Sequence, residues 1–399
     1  VKRFIGRVEI KFQEEGMSNF AKVVIAAVSA AMCICWTGCG GGPQHPCQGA
    51  TCVPSAGKFL YVTASDDVSG FRVGANGTPT GSQNQSGPNQ SIGVAADPSG
   101  KFLYVSDFEN ATIVAFSINQ SSGLLTAIGA PVSAGSPPDA GGLAMDPAGK
   151  FLYVTLMNSS AVAGFSIDPV TGALSAIPGA SVPAGNTPVQ AIVDSSGKFL
   201  YVSNLNDSLG GISGYSIDAT TGDLTPIPGS PFPTQAGFPG PAAFAIGGGG
   251  KFLYVGMVGT ANANNTISGF SIDPTTGVLS QLVGSPFPAG QGPIRVAADS
   301  AGKFLFSANL FDDTVSAFTI DATSGALGQV AGSPYPTNSA PVAVVVDPDG
   351  KYVYVANTGS GDLSVFSLNS TSGALSALAG SPFSTGQQEP GGLAFVKTH

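Results

Sequence analysis

The chain has 399 residues, a formal net charge of −9 and only 10% charged residues, against roughly 25% in an average soluble protein. Its 56 Gly and 30 Pro break long helices and exclude a helical bundle, while 43% apolar and 9% aromatic residues exclude a disordered chain. From Cys39 onward ten basic residues face 21 acidic ones, an imbalance that repels nucleic acid, whose binding rests on phosphate neutralisation.

Residues 1–38 read as a leader. Lys22 precedes fourteen apolar or weakly polar residues, Val23 to Trp36. That run is too short for a hydrocarbon core of about 30 Å and suits the apolar segment of an export signal. Met17 is read as the true start, because residues 1–16 carry mixed charge that no signal needs. Thr37-Gly38-Cys39 follows. Small residues before a Cys at the end of such a segment resemble a bacterial lipoprotein signal, which implies lipidation of Cys39; the alternative is plain cleavage without lipid. Residues 39–55 then form a Gly/Pro/Cys stalk. Cys47 and Cys52 lie in it, and an exported chain permits a disulfide between them.

Residues 56–399 are built from repeats. Gly-Lys-Phe-Leu-Tyr-Val recurs at 57, 100, 149, 197 and 250, with Gly-Lys-Phe-Leu-Phe-Ser at 302 and Gly-Lys-Tyr-Val-Tyr-Val at 350. The seven lysines, Lys58 to Lys351, are spaced by about 49 residues on average, within the range of propeller blades and beyond that of helical repeats. Each period reads as four strands. In the last, Val342–Val346 leads through Pro348-Asp349-Gly350 into Tyr352–Ala356, then Leu363–Leu368, then Ala374–Ala379. Alternation and β-branched or aromatic content support the strands. The turn before the fourth strand recurs as Asp168…Gly172, Asp218…Gly222, Asp273…Gly277 and Asp321…Gly325. Asp caps its own turn and Gly supplies the positive φ.

The first repeat starts at Gly57 with no inner strand before it, and Pro390–Val396 is an inner strand with no second strand after it. The last strand is therefore expected to complete the first blade and close the ring, which protects strand edges. The expectation is an all-β, seven-bladed propeller of four-stranded blades. In five repeats an Asp lies four residues before the Lys, at Asp97, Asp146, Asp194, Asp299 and Asp347. The lysines are read as hairpin-turn charges on the face opposite the acidic loops.

The blades resemble the lactonase-type seven-bladed propellers, similar to 6-phosphogluconolactonase, and the related YVTN-repeat surface propellers. Tyr201-Val-Ser-Asn204 and Tyr354-Val-Ala-Asn357 carry the second-strand signature. Gly-Ser-Pro-Phe at 229, 284 and 380, with Gly-Ser-Pro-Tyr at 332, matches linkers of lactonase-like repeat proteins. The resemblance implies metal-free hydrolysis of a sugar lactone. Opening a lactone needs a base or polarised water and a donor for the developing oxyanion. The ring supplies few such groups. Its His is His399, its Arg are Arg72 and Arg295, and its Glu are Glu109 and Glu389.

The loops between second and third strands are acidic and Asn-rich, and together with Arg295 they form a candidate ligand-binding rim: Asp66, Asp67, Asp107, Glu109, Asn204, Asp207, Arg295, Asn309, Asp312, Asp313 and Asn357. Oxygen clusters suit Ca²⁺ when they converge, the one exception to an expectation of no cofactor. Asp and Asn also simply make good turns, and Arg295 is as open to a structural salt bridge as to a ligand. Phosphate-loop and HExxH patterns are absent.

Two functions remain open. One is a lipid-anchored, extracytoplasmic propeller of the bacterial envelope, monomeric, binding a glycan, small molecule or protein. The other is a lactone hydrolase.

Overall fold

The computed structural model describes residues 57–398 apart from 89, 207–210, 235–239 and 259–264. The leader, the stalk with Cys39, Cys47 and Cys52, and also Asp207 and His399 lie outside the described residues.

Seven antiparallel sheets stand around a central channel. The first blade contains Lys58–Thr63, Asp67–Val73 and Pro79–Ser86, and its inner strand is Leu393–Lys397 from the far end of the chain. That strand pairs in register from Lys58↔Lys397 to Val62↔Leu393, so the closure expected from the sequence holds. The other six inner strands are Ser91–Ala96, Ala140–Met145, Pro188–Val193, Pro241–Gly247, Pro293–Ala298 and Pro341–Val346, in blades two to seven. Each packs against the next, and Leu393–Lys397 sits between the seventh and the second.

Second strands are buried along almost their whole length, as in Phe151–Leu156 and Phe199–Asn204, because alternate side chains enter different seams. Phe59 and Tyr61 pack against Leu103, Val105 and Phe116 of the second blade. Leu60 and Val62 pack against Ala343, Leu363 and Val365 of the seventh. Such strands have no solvent face and carry no polar alternation.

The repeated motif joins blade to blade. The Tyr61 hydroxyl donates to the Gly123 carbonyl of the next blade at 2.7 Å. Tyr104, Tyr153, Tyr201, Tyr254 and Tyr354 do the same to Gly172, Gly222, Gly277, Gly325 and Gly77. Phe306 takes this place in the sixth blade and has no hydroxyl to donate.

Turn chemistry explains the rest of the motif. One oxygen of each turn aspartate accepts the amides of the following Lys and aromatic residue, for example Asp299 Oδ1 from Lys303 and Phe304, both at 2.7 Å. The conserved spacing within the chain thus serves the backbone rather than a Lys–Asp pair. Gly-Ser-Pro-aromatic also has a role. The outer strand there splits into two short pieces, such as Leu279–Gln281 and Phe287–Pro288, both paired with Thr266–Ile272. In the gap the serine hydroxyl accepts the third-strand amide, as Ser285 does from Gly269 at 2.9 Å. The four-stranded blade expected from the sequence is present, and in five blades its outer strand consists of two short pieces.

Candidate functional site

The antiparallel course places the loops entering inner strands and the second-to-third loops at one end of the ring, and the hairpin turns at the other. The rim residues predicted from sequence belong to the first end, but they divide by role. Asn204, Asn309 and Asn357 end their second strands and are fully buried. Their amides donate across to third-strand serines: Asn204 to Ser213 at 3.0 Å, Asn309 to Ser316 at 2.9 Å, and Asn357 to Ser364 at 2.8 Å. Each of these bonds ties the second strand to the third within one blade.

The acidic members mostly bond to their own loop or to a loop entering an inner strand. Asp107 accepts the amide and the side chain of Asn110, both at 2.9 Å. Asp312 accepts the Gln291 amide at 2.6 Å, and Asp313 the Ala340 amide at 2.7 Å. Glu109 accepts from Gln90 at 2.7 Å. Asp66 is exposed beside Asp67, whose carboxyl is pushed up from its ordinary value by burial and then by the Asp66 charge. Among the described residues no three His, Cys, Asp or Glu side chains come together so as to hold a metal ion.

Arg295 differs from all of these. It is the third residue of Pro293–Ala298 and lines a cavity of about 350 Å³ in the central channel. Pairing with the second strands defines one layer of the inner ring. A bulge brings Arg295 opposite Ala308, Gln190 opposite Ser203, Ala243 opposite Gly256 and Ala343 opposite Ala356. Gly93, Gly142 and Gly392 complete the layer, with the amides of Gly93 and Gly392 held by Ser106 and Thr63 hydroxyls. Five of the seven positions are thus Gly or Ala. A Cβ at Gly142 would meet the Val189 carbonyl oxygen at 2.7 Å, so the glycines let inner strands approach closely.

The two large side chains of the layer are polar. Gln190 reaches the neighbouring inner strand, where its Oε1 accepts the Phe244 amide at 2.7 Å. That fixes the amide and leaves Nε2 as a donor. Arg295 has no ion-pair or hydrogen-bond partner among the described residues, so the salt-bridge alternative has no partner there. Withdrawal from water lowers its pKa from the ordinary guanidinium value, although a guanidinium stays charged in proteins. The walls are apolar, with Ile92, Leu143, Ile192, Phe244, Val344 and Leu393 coming from the other six inner strands. The lining contains no Asp, Glu, His or Lys. The arrangement can hold an anion; it offers no side-chain base.

Sequence reasoning found Arg295 and missed Gln190. The signal was present: Pro188-Val-Gln190, Pro241-Ala-Ala243, Pro293-Ile-Arg295, Pro341-Val-Ala343 and Pro390-Gly-Gly392 align on their prolines. Stacking those tripeptides isolates the two polar members.

A closed ring of seven four-stranded blades, with a cavity on its axis, defines a seven-bladed β-propeller. The chain belongs to the lactonase seven-bladed β-propeller family: the family model matches residues 40–140, 76–187, 138–238, 227–345 and 290–389. No curated protein matches it. Among solved structures, a candidate 6-phosphogluconolactonase from Bacteroides fragilis is similar at 19% identity and a TM-score of 0.70, covering 87% of this chain and 100% of its own. A periplasmic gluconolactonase from Pseudomonas aeruginosa is similar at 18% identity and a TM-score of 0.71, covering 86% of this chain and 99% of its own. At these identities the likeness is one of fold.

Proposed function

We propose that the protein is an extracytoplasmic propeller, lipid-anchored through Cys39, that binds a ligand in its central channel. The observation that carries the binding role is Arg295, an unpartnered cation lining an apolar cavity. Such a charge is costly unless something neutralises it. The leader and stalk composition support export, as does the likeness to a periplasmic gluconolactonase.

A lactone hydrolase is the second reading, favoured by family membership and by that same likeness. Against it stands a cavity lining without a side-chain acid or base.

A panel of sugar and aliphatic lactones incubated with the purified protein separates the two. The binding role predicts no turnover above solvent hydrolysis. Turnover that disappears in Arg295→Ala would make the protein an enzyme. For the anchor, radiolabelled palmitate is expected to label the wild type and not Cys39→Ala; an unlabelled wild type would remove it.

A further inference from the structure

We infer that the channel site takes a small monocarboxylate with an apolar body, an assignment that rests on the binding role proposed above. Charge, hydrogen-bonding polarity and wall chemistry point the same way.

Arg295 is the one ionisable side chain lining the cavity, so one negative charge balances it. A phosphate monoester carries close to two charges at neutral pH and would leave one uncompensated among apolar walls. A carboxylate also matches the planar two-pronged guanidinium face, which a point-charge cation does not.

The polar side chains of the lining present mostly donors. Arg295 has no acceptor, and the Phe244 amide already uses one of the two lone pairs of the Gln190 oxygen. A carboxylate accepts and does not donate. A polyol brings several hydroxyl donors that need acceptors, and the lining side chains offer one at most, the second lone pair of Gln190 Oε1.

The other lining side chains are hydrocarbon and come from all seven inner strands, which favours an alkyl or ring body over a hydroxylated one. A cavity of about 350 Å³ lies at the small end of ligand pockets. Gly93, Gly142, Ala243, Ala343 and Gly392 keep the Arg295 layer itself free of bulk.

Isothermal titration of the intact purified protein with hexanoate, hexanamide, hexyl phosphate and gluconate tests this. Hexanoate is expected to bind, and each of the others to bind at least about tenfold more weakly. Arg295→Met should abolish hexanoate binding, and Arg295→Lys, which keeps the charge and loses the fork, should weaken it about tenfold. Ligand-free Arg295→Met should melt at or above the wild type, because an unpaired cation has been replaced by hydrocarbon. If Arg295→Met does not fold, Arg295→Lys carries the test. Equal binding of hexanamide would overturn charge recognition. Preference for hexyl phosphate or gluconate, lost in the Arg295 variants, would overturn the ligand class while leaving channel binding intact. No binding by hexanoate would overturn the assignment outright. Binding of any probe that neither Arg295 variant changes would overturn the channel site itself.

Discussion

The Tyr354 hydroxyl donates to the Gly77 carbonyl at 2.6 Å across 277 residues of chain. It joins the seventh blade to the first, beside the strand pairing that closes the ring. The same bond recurs at five other seams, and the seam after the sixth blade lacks it because Phe306 stands in place of tyrosine.

Removing that hydroxyl leaves a buried carbonyl without its partner. Tyr354→Phe is expected to destabilise the fold by about 1–3 kcal/mol, seen as a lower urea midpoint. Phe306→Tyr is the converse. Its hydroxyl is expected to reach the Gly373 carbonyl and to leave stability unchanged or raise it by up to about 1 kcal/mol. A large loss in Phe306→Tyr would show that the sixth seam is packed too tightly for the oxygen.

Gly123 sits at a φ of +76°, and a Cβ built on it would overlap the Phe59 ring. Gly129 has a φ of +65° with nothing within 4 Å of such a Cβ. Gly123→Ala should therefore cost backbone strain plus overpacking, on the order of 2–4 kcal/mol. Gly129→Ala should cost the strain alone, about 1 kcal/mol. Thermal unfolding of the two variants gives the difference.

Asn309 was a candidate for the rim, and its amide serves Thr314 and Ser316 inside the blade. Asn309→Ala is expected to lose about 1–3 kcal/mol of stability and to leave ligand affinity unchanged in calorimetry, the opposite of the Arg295 variants. A drop in affinity at unchanged stability would return Asn309 to the site.

Lys58 bridges Asp347 at 2.8 Å and Asp349 at 3.0 Å, and Lys397 joins Asp349 at 3.1 Å. Burial works against the Lys58 charge, yet its bonds to the two aspartates hold its pKa above the ordinary 10.5. The Asp349 carboxyl is held below its ordinary 3.8 by Lys58 and then Lys397. A raised lysine contributes stability below its unfolded pKa and loses it as pH rises through the folded one. A lowered aspartate contributes above its unfolded pKa and loses it as pH falls through the folded one. The destabilisation caused by Lys58→Met, about 1–2 kcal/mol, should be constant between about pH 5 and pH 9 and shrink at both extremes. Comparing the variant with the wild type at each pH cancels the titration of groups that Lys58 does not touch. A difference that does not vary down to about pH 2.5 would remove Asp349 from this ion-pair cluster.

The sequence by itself determined the ring. Each blade is a local unit, its turns coded by Asp and Gly at fixed spacing and its second strand by Gly-Lys-aromatic. Seven copies and a detached inner strand are therefore countable in the sequence. Arg295 was visible too, as one of two arginines in the ring. What only the tertiary structure decided was where polar groups end up. Tyr354 and Gly77, or Lys58 and Asp347, are hundreds of residues apart and meet through closure of the ring. Asn204, Asn309 and Asn357 read as loop residues, but they end second strands, where serines on the third strands claim their amides. The layer of Gly93, Gly142, Gln190, Ala243, Arg295, Ala343 and Gly392 draws one residue from each blade, and bulges shift its register. Whether Arg295 has a partner depends on which side chains the other six inner strands bring to the axis, and none of those facing it carries a charge.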